Sequence, residues 1–176
     1  ASRFAYILSH DREIVTRNLE VAYNKLVSAA MQRKDYRAAL KLAKQSRDTT
    51  LISIVGQNGA IYYMENHEFA KSRQFAEYAL KRADLVRDSY RAEGMYHYDA
   101  HRYHEAVKAF STYGDSNLIA HCFEALFFAE QNKLGKNLTT ETIKHHSSTV
   151  RNMHEYAKKS QNKKLIEYVD SLKKYL

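Results

Sequence analysis

Apolar residues recur at helical spacing along most of this chain, and bulky and small ones alternate in a fixed order. Between residues 19 and 48, Tyr23, Leu26, Val27 and Ala30 mark one helix face. Ala39, Leu40 and Ala43 mark a second, beyond the polar turn Arg33-Lys-Asp-Tyr36. The arrangement returns between 52 and 85, with Ala60 and Tyr63, a turn at Asn66-His-Glu-Phe69, then Ser72, Ala76 and Ala79-Leu80. It returns again between 87 and 114, with Tyr90, Gly94 and His97, a turn at Ala100-His-Arg-Tyr103, then Ala106 and Phe110. In each copy an aromatic residue precedes a small one by three positions (Tyr36/Ala39, Phe69/Ser72, Tyr103/Ala106), and the small residues recur in steps of 33 and 34. That period predicts an all-α, right-handed solenoid of about three helical hairpins. Small residues are the points where two helices can approach closely, and aromatic ones fill the spaces between hairpins.

Beyond Gly114 the pattern loosens. Leu118, Ala125, Leu126, Phe128 and Ala129 read as one helix, and Gln131 to Asn137 as a loop closing on Gly135. Thr139 or Thr140 is placed to cap a further helix carrying Ile143, Val150, Met153 and Tyr156-Ala157. Gln161-Asn162 marks a break before a last amphipathic helix with Leu165, Ile166, Val169 and Leu172. Residues 117–176 are therefore expected to be divergent and capping helices of a single domain spanning 1–176. Phe4 to Leu8 reads as a short N-terminal cap or the remnant of a preceding helix. Eight or nine helices are expected in all. The apolar face of the last helix is either a cap or a homodimer surface.

Composition supports this picture. The chain of 176 residues has no proline and five scattered glycines, so helices can run without a flexible linker between them. No apolar run is long enough for a membrane span, and Ala1 to Ser9 is too short an apolar stretch for a signal peptide. The lone Cys122 permits no internal disulfide, which suits a reducing, cytoplasmic setting. The absence of an initiator methionine suggests a piece of a longer protein. Charge is uneven: the net value is +8, and from Gly135 onward nine Lys/Arg face four Asp/Glu. Lys158, Lys159, Lys163, Lys164, Lys173 and Lys174 could thus contact phosphates, although a solvated helix surface accounts for them too.

The order small-x-x-aromatic then aromatic-x-x-small resembles the tetratricopeptide repeat family over roughly residues 19–114. Val27 stands where that family usually has glycine or alanine, His97 where it has tyrosine, and the proline that often closes a repeat is missing. The resemblance implies a protein- or peptide-binding scaffold, non-catalytic and without cofactor or metal. The inner faces of its leading helices would form a concave groove. Those faces would present Asn24, Ser28 and Met31, then Ile54, Gln57, Asn58, Ile61 and Met64, then Asp88, Arg91, Met95 and Tyr98. Asn58 lies where the family's peptide-gripping asparagine is common, and an asparagine amide can bond both groups of an extended backbone. Methionines and isoleucines around it could accept apolar side chains. In the family variant that clamps a C-terminal carboxylate, the corresponding places here hold Asn24, Ser28, Asn58, Asp88 and Ala92. Only Asn58 matches, and Asp88 would repel the ligand.

Ala60-Ile-Tyr-Tyr-Met64 and Phe75-Ala-Glu-Tyr-Ala-Leu80 also look like the repeat domains of bacterial peptide-pheromone receptors. That likeness implies the sensor domain of a bacterial or phage peptide-responsive transcription regulator. Arg91 and His97 have the Arg-x5-His spacing of some all-helical ribonuclease toxins, in which the histidine serves acid–base chemistry and the arginine steadies phosphate charge. The repeat frame explains both residues without catalysis. His97, His101 and His104 have near-ligand spacing, but the turn at 99–102 separates them. His145 and His146 point apart on a helix. The chain contains no phosphate-cradling glycine loop, serine elbow or paired-carboxylate arrangement.

Overall fold

A computed structural model describes residues 2–136 and 138–176, with side chains from residue 11 onward. Among the described residues there are ten α-helices and no strand, and helix accounts for 81% of the chain. In order they are α1 Ser2–Gln32, α2 Tyr36–Ser46, α3 Thr49–Glu65, α4 Phe69–Ala76, α5 Asp84–Asp99, α6 Tyr103–Tyr113, α7 Ser116–Lys133, α8 Thr140–His145, α9 Ser147–Ser160 and α10 Lys163–Lys173. The chain divides into two compact units, Ala1–Ser89 and Tyr90–Leu176.

The periodic turns have a common backbone cause. Lys34, His67 and His101 all adopt left-handed conformations, with φ of 61°, 60° and 57°. Each is followed by a residue whose N–H reaches back five positions: Asp35 to the Ala30 carbonyl (3.0 Å), Glu68 to Tyr63 (2.8 Å) and Arg102 to His97 (2.8 Å). The left-handed residues themselves donate to Met31, Met64 and Tyr98. This pair of bonds is the Schellman closure of a helix, which satisfies carbonyls that the last turn leaves unpaired. The same turn is thus made three times, without glycine. Ala39, Ser72 and Ala106, three residues past each following aromatic, are at most 1% exposed.

In the first unit, α1 packs on α2, α2 on α3 and α3 on α4. Val27, Ala30, Tyr36, Ala39, Val55, Ala60, Tyr63 and Phe75 form its core. Tyr36, Tyr63 and Phe75 meet as tilted or edge-on rings with centroids 5.1–6.5 Å apart. Ser72 buries its hydroxyl by donating to the Ala60 carbonyl at 2.8 Å. Glycines in α3 admit the closest approach. A Cβ on Gly59 would lie 2.3 Å from the Phe75 ring. One on Gly56 would lie 2.9 Å from both the Ala79 nitrogen and the Phe75 carbonyl.

In the second unit, α6 packs on α7, α7 on α9, and α9 on both α8 and α10. One core joins Phe127, Leu134, Ile143, Val150, Met153, Ala157, Val169 and Leu172; a second joins Ala106, Phe110 and Cys122. The Phe110 ring occupies the space over Gly94, where a Cβ would come within 2.4 Å.

Several sequence expectations need correction. No separate N-terminal cap exists: the backbone of 4–8 belongs to the continuous α1, and the side chains from Phe4 to Leu8 lie outside the described ones. α4 stops at Ala76, four residues before Leu80. The Leu80 N–H instead donates to the Ser53 hydroxyl at 2.8 Å, and the chain turns to lie against Gly56. α7 continues to Lys133, so Gln131 and Asn132 are helical and the loop is shorter. Thr139, and not Thr140, is the cap. The helix expected after it breaks at His146 (φ −103°, ψ 34°), so it forms α8 and α9, and the count rises to ten among the described residues. Leu165, Ile166, Val169 and Leu172 face the core of their own unit. Val169 and Leu172 are buried there, and Leu165 and Ile166 are partly buried against them.

Gly56→Ala tests the close approach. Overpacking typically costs about 1–3 kcal/mol and the helix-propensity gain from alanine returns about 1 kcal/mol. A net loss of about 1–2 kcal/mol is therefore expected in urea unfolding; an unchanged or raised midpoint would contradict the packing described.

Candidate functional site

The expected groove residues occur in both units, and each unit presents its own set. In the first, α3 carries Ile54, Gln57, Asn58, Ile61 and Met64 at spacings of three and four residues, which puts them along one side of the helix. The opposite side, with Val55, Gly59 and Tyr63, is buried. Asn58 is exposed, and Gln57, Ile61 and Met64 are half-buried. The Asn58 side-chain nitrogen donates to the Ile54 carbonyl at 2.8 Å, holding the amide against its own helix. That bond occupies one of its two N–H groups and leaves the carbonyl oxygen able to accept. On α1, Asn24 and Ser28 are exposed and line a depression of about 380 Å³ with Val21, Lys25, Ala29 and Gln32.

In the second unit, Met95 and Tyr98 come together. With Phe110, Leu118 and His121 they line a cavity of about 160 Å³. Met95 is 40% exposed and forms part of the mouth. Phe110 is fully buried beneath. Burial raises the Tyr98 phenol above its ordinary pKa, so Tyr98 serves as a neutral hydrogen-bonding wall. His121 is held by an Nδ1 contact of 2.8 Å to the Asn117 carbonyl. Arg91 is exposed and sits 6.0 Å over the Tyr113 ring, away from the cavity's lining.

Sequence reasoning found Met95 and Tyr98 but missed Phe110, Leu118 and His121 as their partners. The signal was available for Phe110, the aromatic residue facing Gly94 across the hairpin. It was absent for His121, which no repeat position specified. Also missed was a cleft of about 510 Å³ between α2 and α4, lined by Arg37, Lys41, Lys44 and Tyr78 among others. Lys44 there donates to the Tyr78 hydroxyl at 2.8 Å. Arg37, Lys41 and Lys44 recur at spacings of four and three residues along α2, a signal present in the sequence, whereas the facing residues of the cleft depend on packing.

The histidines are scattered in their contacts. His101 occupies the left-handed turn position and bonds the Tyr103 hydroxyl through Nδ1 at 2.8 Å. His104 lies against Tyr156, with ring centroids 6.1 Å apart. The Nδ1 of His97 is buried without a hydrogen-bond partner. Among the described residues, no three His, Cys, Asp or Glu side chains are grouped so as to share a metal ion. The six C-terminal lysines are exposed, with Lys159 paired to Glu155 at 2.5 Å. His154 lies 3.3 Å from Asp170; burial and the neighbouring Lys173 and Lys158 lower its pKa against the pull of that carboxylate. No described helix is long and apolar enough to cross a membrane.

Neither a protein-family model, nor a curated protein, nor a solved structure shows a significant match to this chain.

Cys122 is fully buried, and burial pushes its thiol up to about 11. Because the folded state holds the proton more tightly, this residue's stabilising contribution is complete below about pH 9. It is lost as pH rises toward about 11. A thiol-specific reagent at pH 8 is expected to leave native Cys122 unlabelled while labelling the urea-unfolded chain within minutes. Equal labelling of both states would contradict this environment.

Proposed function

We propose that this protein is a non-catalytic peptide- or protein-binding module built of helical hairpins of tetratricopeptide type, arranged as a right-handed solenoid. The observation that carries the reading is the small apolar cavity under Met95 and Tyr98. Its volume suits one aliphatic or aromatic side chain, its walls are almost wholly apolar, and a flexible methionine borders its mouth. The accessible side of α3 supports the same reading by a different route. Gln57 and Asn58 offer amide groups to an extended backbone, with Ile61 and Met64 beside them for apolar contact. The repeated Schellman turns at Lys34, His67 and His101 support the repeat relationship, because three copies share one closure as well as one residue pattern.

Under this reading, recognition needs no covalent step. An apolar side chain enters the cavity of the second unit. In the first unit, Asn58 offers its amide to a backbone as a separate contact surface. Arg91 is left to contact an acidic ligand group from the surface. The exposed lysines of α9 and α10 favour a second reading, contact with nucleic acid, which would show steep salt dependence.

The test is selection of binders from a random peptide library, followed by calorimetry. Met95→Glu is expected to weaken selected peptides at least about tenfold, because a carboxylate would have to be desolvated at an apolar mouth. Circular dichroism should show the fold unchanged, since Met95 lies at the surface and is 40% exposed. No selectable peptide, or equal affinity in the variant, would remove the reading. Binding of single-stranded RNA that vanishes between low and moderate salt would favour the lysine surface instead.

A further inference from the structure

Between Ile14 and Leu26, α1 carries apolar side chains that the described residues leave uncovered. Val15, Leu19 and Leu26 are 57%, 55% and 53% exposed, and Ile14 and Val21, roughly 110° further round the helix, are 46% and 47% exposed. Val27 and Ala30, which face the hairpin, are fully buried. α1 thus has two apolar sides, one covered and one open. On the open side Val15, Leu19, Ala22, Leu26 and Ala29 alternate in steps of four and three residues, the spacing of a coiled-coil seam. This seam is an isolated stripe on one long straight element, and its length of about 20 Å from Val15 to Ala29 is set by the helical rise.

Charge decides what fits there. Asp11, Asn18 and Lys25 follow one another at seven-residue intervals along one flank of the seam. Suppose a second α1 runs antiparallel, with Val15 against the partner's Leu19 and Leu19 against the partner's Val15. The same flank positions then face one another: Asp11 meets the partner's Lys25, Lys25 meets the partner's Asp11, and Asn18 meets the partner's Asn18. Two ion pairs and an amide pair arise from a single register. Arg12 falls opposite the partner's Ala22, whose small side chain lets the arginine stem lie over it with the charge in water. A parallel, in-register pair would instead stack Arg12 on Arg12 and leave Asp11 and Lys25 without opposite charges. Among the described residues neither Asp11 nor Lys25 is engaged in an ion pair, and Asp11, Asn18 and Lys25 are all exposed.

We infer that α1 pairs antiparallel with α1 of a second copy of this chain, along the seam Val15, Leu19, Ala22 and Leu26. This proposal goes beyond the peptide-binding reading and does not depend on it. The surface is also distinct from the last helix, whose apolar face packs into the core of its own unit.

Sedimentation equilibrium on the full chain tests it. A concentration-dependent dimer is expected for the wild type, and a monomer up to about 0.2 mM would overturn the proposal. Leu19→Glu should give a monomer with unchanged helicity and melting, because the side chain is exposed in the folded chain. Asp11→Lys and Lys25→Asp should each weaken the dimer about tenfold, and the double reversal should restore it. Restoration failing, or a dimer surviving Leu19→Glu, would place the interface elsewhere. Asn18→Cys should form a reducible cross-linked dimer under mild oxidation, since the antiparallel register sets the two positions face to face. Wild type, with only the buried Cys122, should not, and an uncrosslinked Asn18→Cys dimer would exclude the antiparallel register.

Discussion

Two helices can pack closely only where one of them gives up side-chain volume, and in this protein that concession is made at a few fixed places. Ala39, Ser72 and Ala106 lie just inside the second helix of each hairpin and are almost completely buried. The rings that follow or oppose them then fill the remaining space: Phe75 over Gly59 and Phe110 over Gly94. Such contacts are short-range, so a single added methyl is felt by the backbone when the neighbour cannot move. Gly56 is the extreme case, because its neighbours are the nitrogen and carbonyl of another segment. The early end of α4 follows from it. The chain after Ala76 gives up helical bonds in order to lie against α3, and Ser53 replaces one of them.

The turns make the same point about backbone. A left-handed residue usually costs a non-glycine side chain something, of order a kcal/mol. Here lysine, histidine and histidine accept that cost at 34, 67 and 101, and each turn is compensated by two closing bonds. Asp35 adds a further bond by capping α2 through the Ala38 N–H. Glu68 and Arg102, at the matching positions, make no side-chain cap. The turn therefore depends on its backbone bonds, and the residue type at the cap is free to vary.

This explains which features could be read from the sequence. The all-helical class, the three hairpins and their turns were legible because each rests on local spacing: an aromatic residue, a small residue three later, and a polar step before them. The break at His146 was not, since apolar positions continue in helical phase from Ile143 to Ala157. The backbone of His146 nonetheless leaves the helix, and its ring and N–H both meet the Thr142 carbonyl. The full extent of α1 was not legible because residues 11–18 correspond to no position of the repeat. At the site, Met95 and Tyr98 were legible from the helix face, whereas the cavity floor needed the packing of α6 and α7. Asn58 was found in the sequence, but its bond to Ile54 depends on a rotamer that spacing does not dictate.

What remains open on the surface follows from how each helix divides its faces. A helix in a hairpin buries a stripe of its circumference and leaves the remainder to water or to a partner. Most exposed faces here are charged, as on α2, α9 and α10, and water together with surface pairs such as Lys159–Glu155 satisfies them. The accessible sides of α1 and α3 differ because they keep apolar side chains as well, Val15 and Leu19 on α1 and Ile61 and Met64 on α3. Apolar side chains gain nothing from solvent, and each contributes on the order of 1–3 kcal/mol when covered. A fold that spends its small residues on internal contacts has therefore kept larger apolar ones outside them, on faces where only association can bury them.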